Sequence, residues 1–286
     1  MKKVTIFKKL YIVLFFLVSS NLYLLNVYGQ SLLWKITGND LRAASYIYGT
    51  IHVKDKRVFE FNDSVLTTFE KCEALAIEVD LSTENILMLS QKMILPGDQT
   101  LKDLFTDEDY QVIKTVVEDI SGLDISLFDK FKPVTLLSLV MNFQFANDVD
   151  VTVDEYFYRK AKELDKKIIG IETIDEQLEI MESIPYEYII DYLKNIDQVK
   201  EDIENIISLY QSAELENLLE IMQEDKSMVM IKKDLLTDRN IKMAERIKRI
   251  IYEHPAFIAL GAGHLPGKEG IINILKSQGF IIEPLK

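Results

Sequence analysis

The sequence predicts an α/β protein, because short apolar segments alternate with longer segments of helical periodicity. Four of the apolar segments are typical of buried strands: 46–52, 74–80, 166–173 and 257–264. Two of them end in the same motif, a glycine followed three residues later by a histidine, at Gly49 to His52 and Gly261 to His264. Ligands bind beyond the carboxyl ends of the strands in open α/β sheets. We therefore expect His52 and His264 to meet at one site, although more than 200 residues separate them.

The composition is that of an ordinary globular chain with an acidic surface. The chain has 286 residues, of which 48% are hydrophobic and 28% charged, and its net charge is −13. Residues 1–29 contain four lysines and no acid, so residues 30–286 carry 29 basic against 46 acidic side chains, a balance of −17. Such a surface repels phosphate backbones, which excludes nucleic acid as a partner. The length suits one large domain or two closely joined halves.

The first 29 residues have the pattern of a secretory signal peptide. A basic start is followed by the apolar run Leu10–Val18, and Val27 and Gly29 are the small residues before a cleavage site at Gln30. The alternative is an uncleaved membrane anchor, because residues 10–29 are about long enough to span a bilayer. The sole cysteine, Cys72, excludes a lipoprotein anchor and an intramolecular disulfide. We therefore expect residues 30–286 to form an exported domain, periplasmic or extracellular, that touches a membrane only if the leader is retained.

The exported part is predicted to begin with a β-hairpin. Its first strand, turn and second strand are residues 32–36, 37–40 and 45–51. Trp34 is expected to pack in the core. Asp63 is expected to cap a helix that continues to Lys71, and Cys72 to be a half-buried thiol at the end of that helix.

Two strand-like segments end in a glutamate. Glu78 follows the apolar run that begins at Ala74, and Glu172 follows the run that begins at Ile168. A carboxylate at the end of a buried strand is unexpected unless it is paired or ligates a metal. The alternative is that such an acid only marks where the strand reaches solvent.

The rest of the chain is predicted to be mostly helical. Helices are expected at 83–95, 107–120, 133–145, 153–164 and 269–278, and over 174–250 with breaks near 184–185, 211–212 and 224–225. Thr106 is expected to cap the second of these helices, and Met141, Phe143 and Phe145 are expected in the core. Sequence physics does not distinguish Arg239 from Arg246 or Arg249 in the last long helix. His254 is expected in an exposed loop, and residues 280–283 form a final strand.

Two histidines with one or two carboxylates form a set that can hold a divalent metal. A metal with an open position makes hydroxide available near neutral pH, and a remaining carboxylate is suited to act as general base. This combination indicates a hydrolase. The Gly-x-Ser-x-Gly, His-Glu-x-x-His and Gly-rich phosphate-binding motifs are absent from the sequence, which argues against those enzyme classes.

The combined pattern resembles the TraB/GumN family, which includes the Tiki metalloproteases and is related to the erythromycin-esterase and ChaN-like group. The resemblance covers the chain from about Leu33 onward. The matching positions are the two Gly-x-x-His motifs, Glu78, Asp154, Gly170-Ile171-Glu172-Thr173 with Gln177, and Arg239-Asn240.

The resemblance implies a central mixed β-sheet flanked by helices, with a helical middle section. It also implies that His52, His264 and Glu78 ligate a divalent metal (manganese, cobalt or zinc), with Glu78 as ligand or general base. Arg239 would stabilise the developing oxyanion, and Glu172 and Asn240 would orient the site or a peptide or protein substrate. Two alternatives stay open: a binding protein in which the histidines hold haem or a metal without turnover, and an interaction module that docks partners through its acidic helices.

Overall fold

The computed structural model describes residues 31–144, 148–224 and 236–285. The predicted leader and Phe145 lie outside these residues. Among the residues that are described, no helix combines the length and the apolar character needed to cross a membrane.

A six-stranded mixed sheet forms the centre of the molecule, as the sequence predicts. Its strands are β1 Leu33–Thr37, β2 Ser45–Thr50, β3 Ala74–Ile77, β4 Lys167–Gly170, β5 Ala256–Gly261 and β6 Ile281–Leu285. The strand order is β4-β3-β5-β2-β1-β6. β1 is antiparallel to both of its neighbours, so the predicted hairpin is confirmed. Strands β2, β5, β3 and β4 run parallel to one another, and their carboxyl ends therefore lie at one edge of the sheet.

Twelve α-helices occupy the described part of the chain. They are α1 Asp63–Lys71, α2 Thr83–Lys92, α3 Leu101–Leu104, α4 Asp107–Ser121, α5 Pro133–Gln144, α6 Val153–Glu163, α7 Ile174–Glu182, α8 Tyr186–Lys194, α9 Ile196–Gln211, α10 Leu215–Glu224, α11 Asp238–Glu253 and α12 Ile271–Ser277. Together with the sheet they make the α/β fold that the sequence predicts.

The main hydrophobic core surrounds β3 and β5, whose apolar residues are fully enclosed. Strands that are covered on both faces read as continuous apolar runs, which is why these two segments were recognisable in the sequence. Trp34 is buried, and its indole N–H donates to the carbonyl of Ser31 at 2.8 Å. Cys72 is buried rather than half-buried, and burial raises the pKa of its thiol to about 12.

The helical middle section has a hydrophobic cluster of its own. It joins α3, α4, α5 and α8 through buried side chains such as Leu101, Ile113, Leu136 and Ile189. In the chain, α3, α4 and α5 lie between β3 and β4, whereas α8 follows β4, so two separate segments form this cluster.

Several local predictions need correction. The side chain that caps α1 is Asn62, whose Oδ1 accepts from Val65 N at 3.0 Å, and Asp63 is the first helical residue. Phe143 is 45% exposed, so it is not a core residue. The helical run after Pro185 is also interrupted at Asn195, which the sequence pattern did not indicate. β4 ends at Gly170, two residues before Glu172.

A buried tyrosine links α9 to the first Gly-x-x-His motif. The hydroxyl of Tyr210, on α9, donates to the carbonyl of Gly49 at 2.8 Å. Tyr210→Phe leaves that buried carbonyl without its donor, so we expect the free energy of unfolding to fall by about 1–3 kcal/mol. Tyr252→Phe is the control, because Tyr252 is half exposed and its partner, the carbonyl of Asn39, can bond water instead. Equal losses in urea denaturation of the two variants would contradict this prediction.

Candidate active site

The parallel strands bring the predicted site residues to one edge of the sheet. Glu78 follows β3 directly, His52 lies two residues beyond β2, and Glu172 lies two residues beyond β4. His264 ends a short 3-10 turn, Ala262–His264, that continues from β5. Because β5 lies between β2 and β3, both Gly-x-x-His motifs and Glu78 occupy neighbouring positions. Arg239 and Asn240 enter from the first turn of α11.

Glu78 contacts groups from three other parts of the chain. Its Oε1 accepts the backbone N–H of Gly261 at 2.7 Å. Its Oε2 accepts from Arg239 Nη2 at 3.3 Å and from Gln177 Nε2 at 3.2 Å. Burial by itself would raise the pKa of the Glu78 carboxyl. The surrounding positive charge, from His264 when it is protonated, from His52 and from Arg239, lowers that pKa below its ordinary value.

Glu172 and Arg239 form a two-point ion pair beside Glu78. Arg239 Nε donates to Glu172 Oε1 at 2.9 Å, and Arg239 Nη2 donates to Glu172 Oε2 at 2.6 Å. Gln177 Nε2 also reaches Glu172 Oε2, at 3.3 Å. Arg239 and Gln177 therefore bridge two buried carboxylates that would otherwise repel each other. The other two arginines of α11 lie elsewhere: Arg246 pairs with Glu176, and Arg249 is exposed.

His264 is held in one orientation by a chain of hydrogen bonds. Asn240 Nδ2 donates to the carbonyl of Glu269 at 2.8 Å, which leaves Asn240 Oδ1 as an acceptor. His264 Nδ1 lies 2.6 Å from this oxygen, so Nδ1 carries the proton and donates it. The other ring nitrogen, Nε2, is left with its lone pair and lies 3.9 Å from Glu78 Oε1. Burial lowers the pKa of His264, which favours this neutral form.

His52 has a different environment. Its side chain is 61% exposed, and its Nδ1 lies 3.0 Å from Oδ2 of the buried Asp154. Asp154 Oδ1 accepts the hydroxyl of Thr50 at 2.7 Å. The charge of Asp154 raises the pKa of His52 to about 10.

The donor set fits part of a metal-coordination sphere. A zinc-type ion with ligands at about 2.0–2.2 Å in a tetrahedron holds donor atoms roughly 3.3–3.6 Å apart, close to the separation of His264 Nε2 and Glu78 Oε1. Gly261 leaves open the space beside this pair, since a Cβ there would lie 3.0 Å from Glu78 Oε1 and 3.5 Å from His264 Cδ2. Across the described residues, however, no three His, Cys, Asp or Glu side chains converge closely enough to hold a metal. Of the three predicted ligands, His264 and Glu78 lie side by side, with Nε2 and Oε1 3.9 Å apart. The third, His52, contacts Asp154 instead.

Two cavities flank the first turn of α11. One, of about 270 Å³, adjoins Glu172 and Arg239 and is also lined by Glu179, Asp238 and Lys242. The other, of about 360 Å³, adjoins Asn240 and Gly263. Space for a substrate therefore exists on both sides of the residues that hold Glu78 and His264.

The glycine of the second motif makes room for the Glu78 carboxylate, and this can be tested without a substrate. Gly261→Ala places a Cβ against Glu78 Oε1, and we expect a loss of about 1–3 kcal/mol in the free energy of unfolding. In a Glu78→Ala background, most of that loss is expected to disappear. Gly49→Ala is the control, because its Cβ would meet Leu265 and Ala262 instead. A Gly261→Ala cost that is independent of Glu78 would contradict the prediction.

Sequence reasoning assigned no contact to Gln177, Thr50 or Asp154. Gln177 and Asp154 match the family pattern, but an acid in the first turn of a helix ordinarily serves the helix dipole, so Asp154 carried no distinct signal. Thr50 lies inside the first Gly-x-x-His motif, and this position is the sequence signal that could have indicated its place in the site. His254 lies outside the site, near Lys167 and Glu73, and is half-buried rather than exposed.

Comparison with known proteins identifies the family of this chain. The model of the TraB/PrgY/gumN family matches residues 32–284. Metalloprotease TIKI1 of Danio rerio is 23% identical over 89% of this chain and 63% of its own length, and human Metalloprotease TIKI1 is 22% identical over 89% and 62%. An uncharacterised protein of Treponema pallidum is 21% identical over 87% of this chain and 81% of its own. The chain thus spans a little over three fifths of the TIKI proteins. Because the family model covers nearly the whole described fold, including both Gly-x-x-His motifs, this chain belongs to the TraB/PrgY/gumN family.

Proposed function

We propose that the protein is an exported metal-dependent hydrolase that acts on peptide or protein substrates. The observation that carries this proposal is the orientation of His264. Its Nδ1 is bound by Asn240, so its unprotonated Nε2 faces the Glu78 carboxylate across 3.9 Å. A histidine held through one nitrogen by an oxygen acceptor is the usual arrangement of a metal-ligating histidine.

The relatives support the same reaction class. The TIKI proteins are named metalloproteases, and they align with this chain at 21–24% identity along almost nine tenths of its length. They are longer than this chain, so a peptidase activity is here a proposal drawn from both the site and the relatives.

His264 and Glu78 would hold the metal, and His52 would supply a third ligand from the exposed side of the site once its Nε2 has released its proton as the metal binds. Histidine with carboxylate is a donor set suited to manganese, cobalt or zinc. Such an ion supplies a Lewis acid and an activated water at neutral pH.

The other residues act on these ligands. Asn240 orients His264, while Glu172 orients Glu78 through Arg239 and Gln177. Arg239 was expected to stabilise an oxyanion. Its Nε and Nη2 both donate to carboxylates, so we assign it first to holding Glu78 and to neutralising two buried acids.

Export is the part of the proposal that rests on residues 1–29 alone. We expect the mature chain to begin at Gln30 when the protein is produced in a cell with a secretion pathway, because Val27 and Gly29 precede that position. N-terminal sequencing of the secreted or periplasmic fraction checks this. A mature chain that begins at Met1 and sediments with membranes would favour the uncleaved anchor.

Metal content is the decisive experiment for the reaction class. We expect residues 30–286, purified without chelator, to contain close to one manganese, cobalt or zinc ion per chain. His52→Ala/His264→Ala is expected to lose it, and His254→Ala, which alters the third histidine outside the site, is expected to keep it. Elemental analysis measures all three proteins. No metal in the parent chain, even after soaking with each of the three ions, would contradict the proposal. If the protein contains metal but hydrolyses no member of a peptide library, the alternative of a metal-binding protein without turnover is favoured.

A further inference from the structure

The two Gly-x-x-His histidines are held in parallel ways by different partners. Each has its Nδ1 against an oxygen from the first turn of a helix: Asp154 on α6 for His52, and Asn240 on α11 for His264. The partner of the buried His264 is a neutral amide. The partner of the exposed His52 is a carboxylate that is itself only 8% exposed.

Asp154 contacts two residues of the first Gly-x-x-His motif, Thr50 and His52. Its Oδ1 accepts the hydroxyl of Thr50, the residue that follows Gly49. Its Oδ2 is buried and has no fully aligned hydrogen bond among the described residues, and the group that reaches it is His52 Nδ1 at 3.0 Å. A buried carboxylate oxygen is costly unless a donor satisfies it. Asp154 therefore has one oxygen fixed by Thr50 and the other available for the imidazole.

We propose that Asp154 is a positioning residue that holds His52 through its Nδ1–H, so that Nε2 is the nitrogen presented to the site. In the second motif His264 is also held through Nδ1, but by Asn240. Ala262 stands at the position of Thr50, and the Glu269 carbonyl orients Asn240 instead. An exposed imidazole without such a partner can rotate and present either nitrogen. Partners of this kind typically change metal affinity or activity by about 10–100-fold.

This inference refines the site of the proposed function, but its test needs neither metal nor substrate. Nitrogen-15 spectra of the chelator-treated protein report which ring nitrogens of the three histidines carry protons. We expect the neutral imidazole of His52, which forms above its raised pKa, to carry its proton on Nδ1 and none on Nε2. A His52→Gln variant identifies its signals.

Asp154→Asn is the matched change. The asparagine keeps an oxygen for the Thr50 hydroxyl and places an NH₂ group where Oδ2 was, so it donates to His52 Nδ1. We expect the proton of neutral His52 to move from Nδ1 to Nε2 in this variant, and His264 to be unaffected. Asp150→Asn is the control, because Asp150 is exposed in the same segment and the change removes the same charge.

Two outcomes would overturn the inference. One is a wild-type protein in which His52 Nδ1 is unprotonated, and this measurement stands even if the variant fails to fold. The other is an Asp154→Asn spectrum identical to that of Asp150→Asn. Neither outcome depends on metal content, so the inference and the proposed function fail separately.

Discussion

Arg239→Met is expected to lower the free energy of unfolding by about 3–5 kcal/mol at neutral pH. Arg239 is the cation that contacts both Glu172 and Glu78, and both carboxylates are buried. Methionine fills a similar length without charge, so two neighbouring acids would remain in the interior with Gln177 as their shared donor. Urea denaturation measures the loss. Arg249→Met is the control, because Arg249 is exposed on the same helix and its replacement is expected to cost less than about 0.5 kcal/mol.

The pH dependence of this cost gives a second check. The pKa of Glu78 is lowered in the folded protein, so its ionised form stabilises the fold above the ordinary carboxyl pKa and this contribution is lost as the pH falls towards the lowered value. At low pH the buried glutamates of Arg239→Met become protonated and neutral, so the absence of the arginine cation costs less. We therefore expect the difference between variant and parent to shrink below about pH 4. Adding Glu172→Gln to Arg239→Met is expected to recover part of the loss. An Arg239→Met loss in the free energy of unfolding that equals that of Arg249→Met, or that does not change with pH, would contradict the role of Arg239 in neutralising the two acids.

Under the proposed function, Glu78→Gln is expected to reduce peptide hydrolysis by about 10²–10⁴-fold while the protein remains folded. Glutamine keeps an oxygen for the Gly261 N–H, and Glu172 still pairs with Arg239. The change removes the charge that faces His264 Nε2, which is needed both by a metal ligand and by a general base. The measurements are metal content and the turnover of a peptide identified with the parent protein.

The same variant separates the two roles considered for Glu78. Loss of metal together with activity identifies Glu78 as a ligand, whereas loss of activity with the metal retained identifies it as the general base. Glu70→Gln, an exposed replacement on α1, is expected to change neither quantity. Unchanged metal content and unchanged activity in Glu78→Gln would remove Glu78 from the mechanism.

The sequence was most informative where function imposed a local pattern. Each Gly-x-x-His motif is visible within a few residues, and each follows an apolar run of strand length. Parallel strands end at a common edge, so the expectation that His52 and His264 share one site required no knowledge of the strand order. Glu78 was recognisable for a different local reason: a carboxylate directly after a fully apolar strand is costly to bury unless it has a partner.

Predictions were weaker where the relevant partner is distant in sequence. Sequence physics could not choose Arg239 over Arg246 or Arg249, and only the family resemblance singled it out, since its partners Glu172 and Glu78 lie 67 and 161 residues away. Asp154 was recognised as an acid near a helix start that matches the family pattern, but no role followed, because its contact with His52 depends on α6 packing against the sheet. The three-ligand metal set came from residue types together with the family resemblance, and neither shows that His52 Nδ1 lies against Asp154.

The sequence by itself determined the α/β class, the strand segments and most of the polar residues of the site, because periodicity and strand-end residues are properties of short segments. Only the tertiary structure decided the strand order that places β5 between β2 and β3, the two carboxylates bridged by Arg239 and Gln177, and the nitrogen through which each histidine is held. Those features depend on distances between side chains from separate elements. Such distances follow from how the helices pack on the sheet, which no local pattern records.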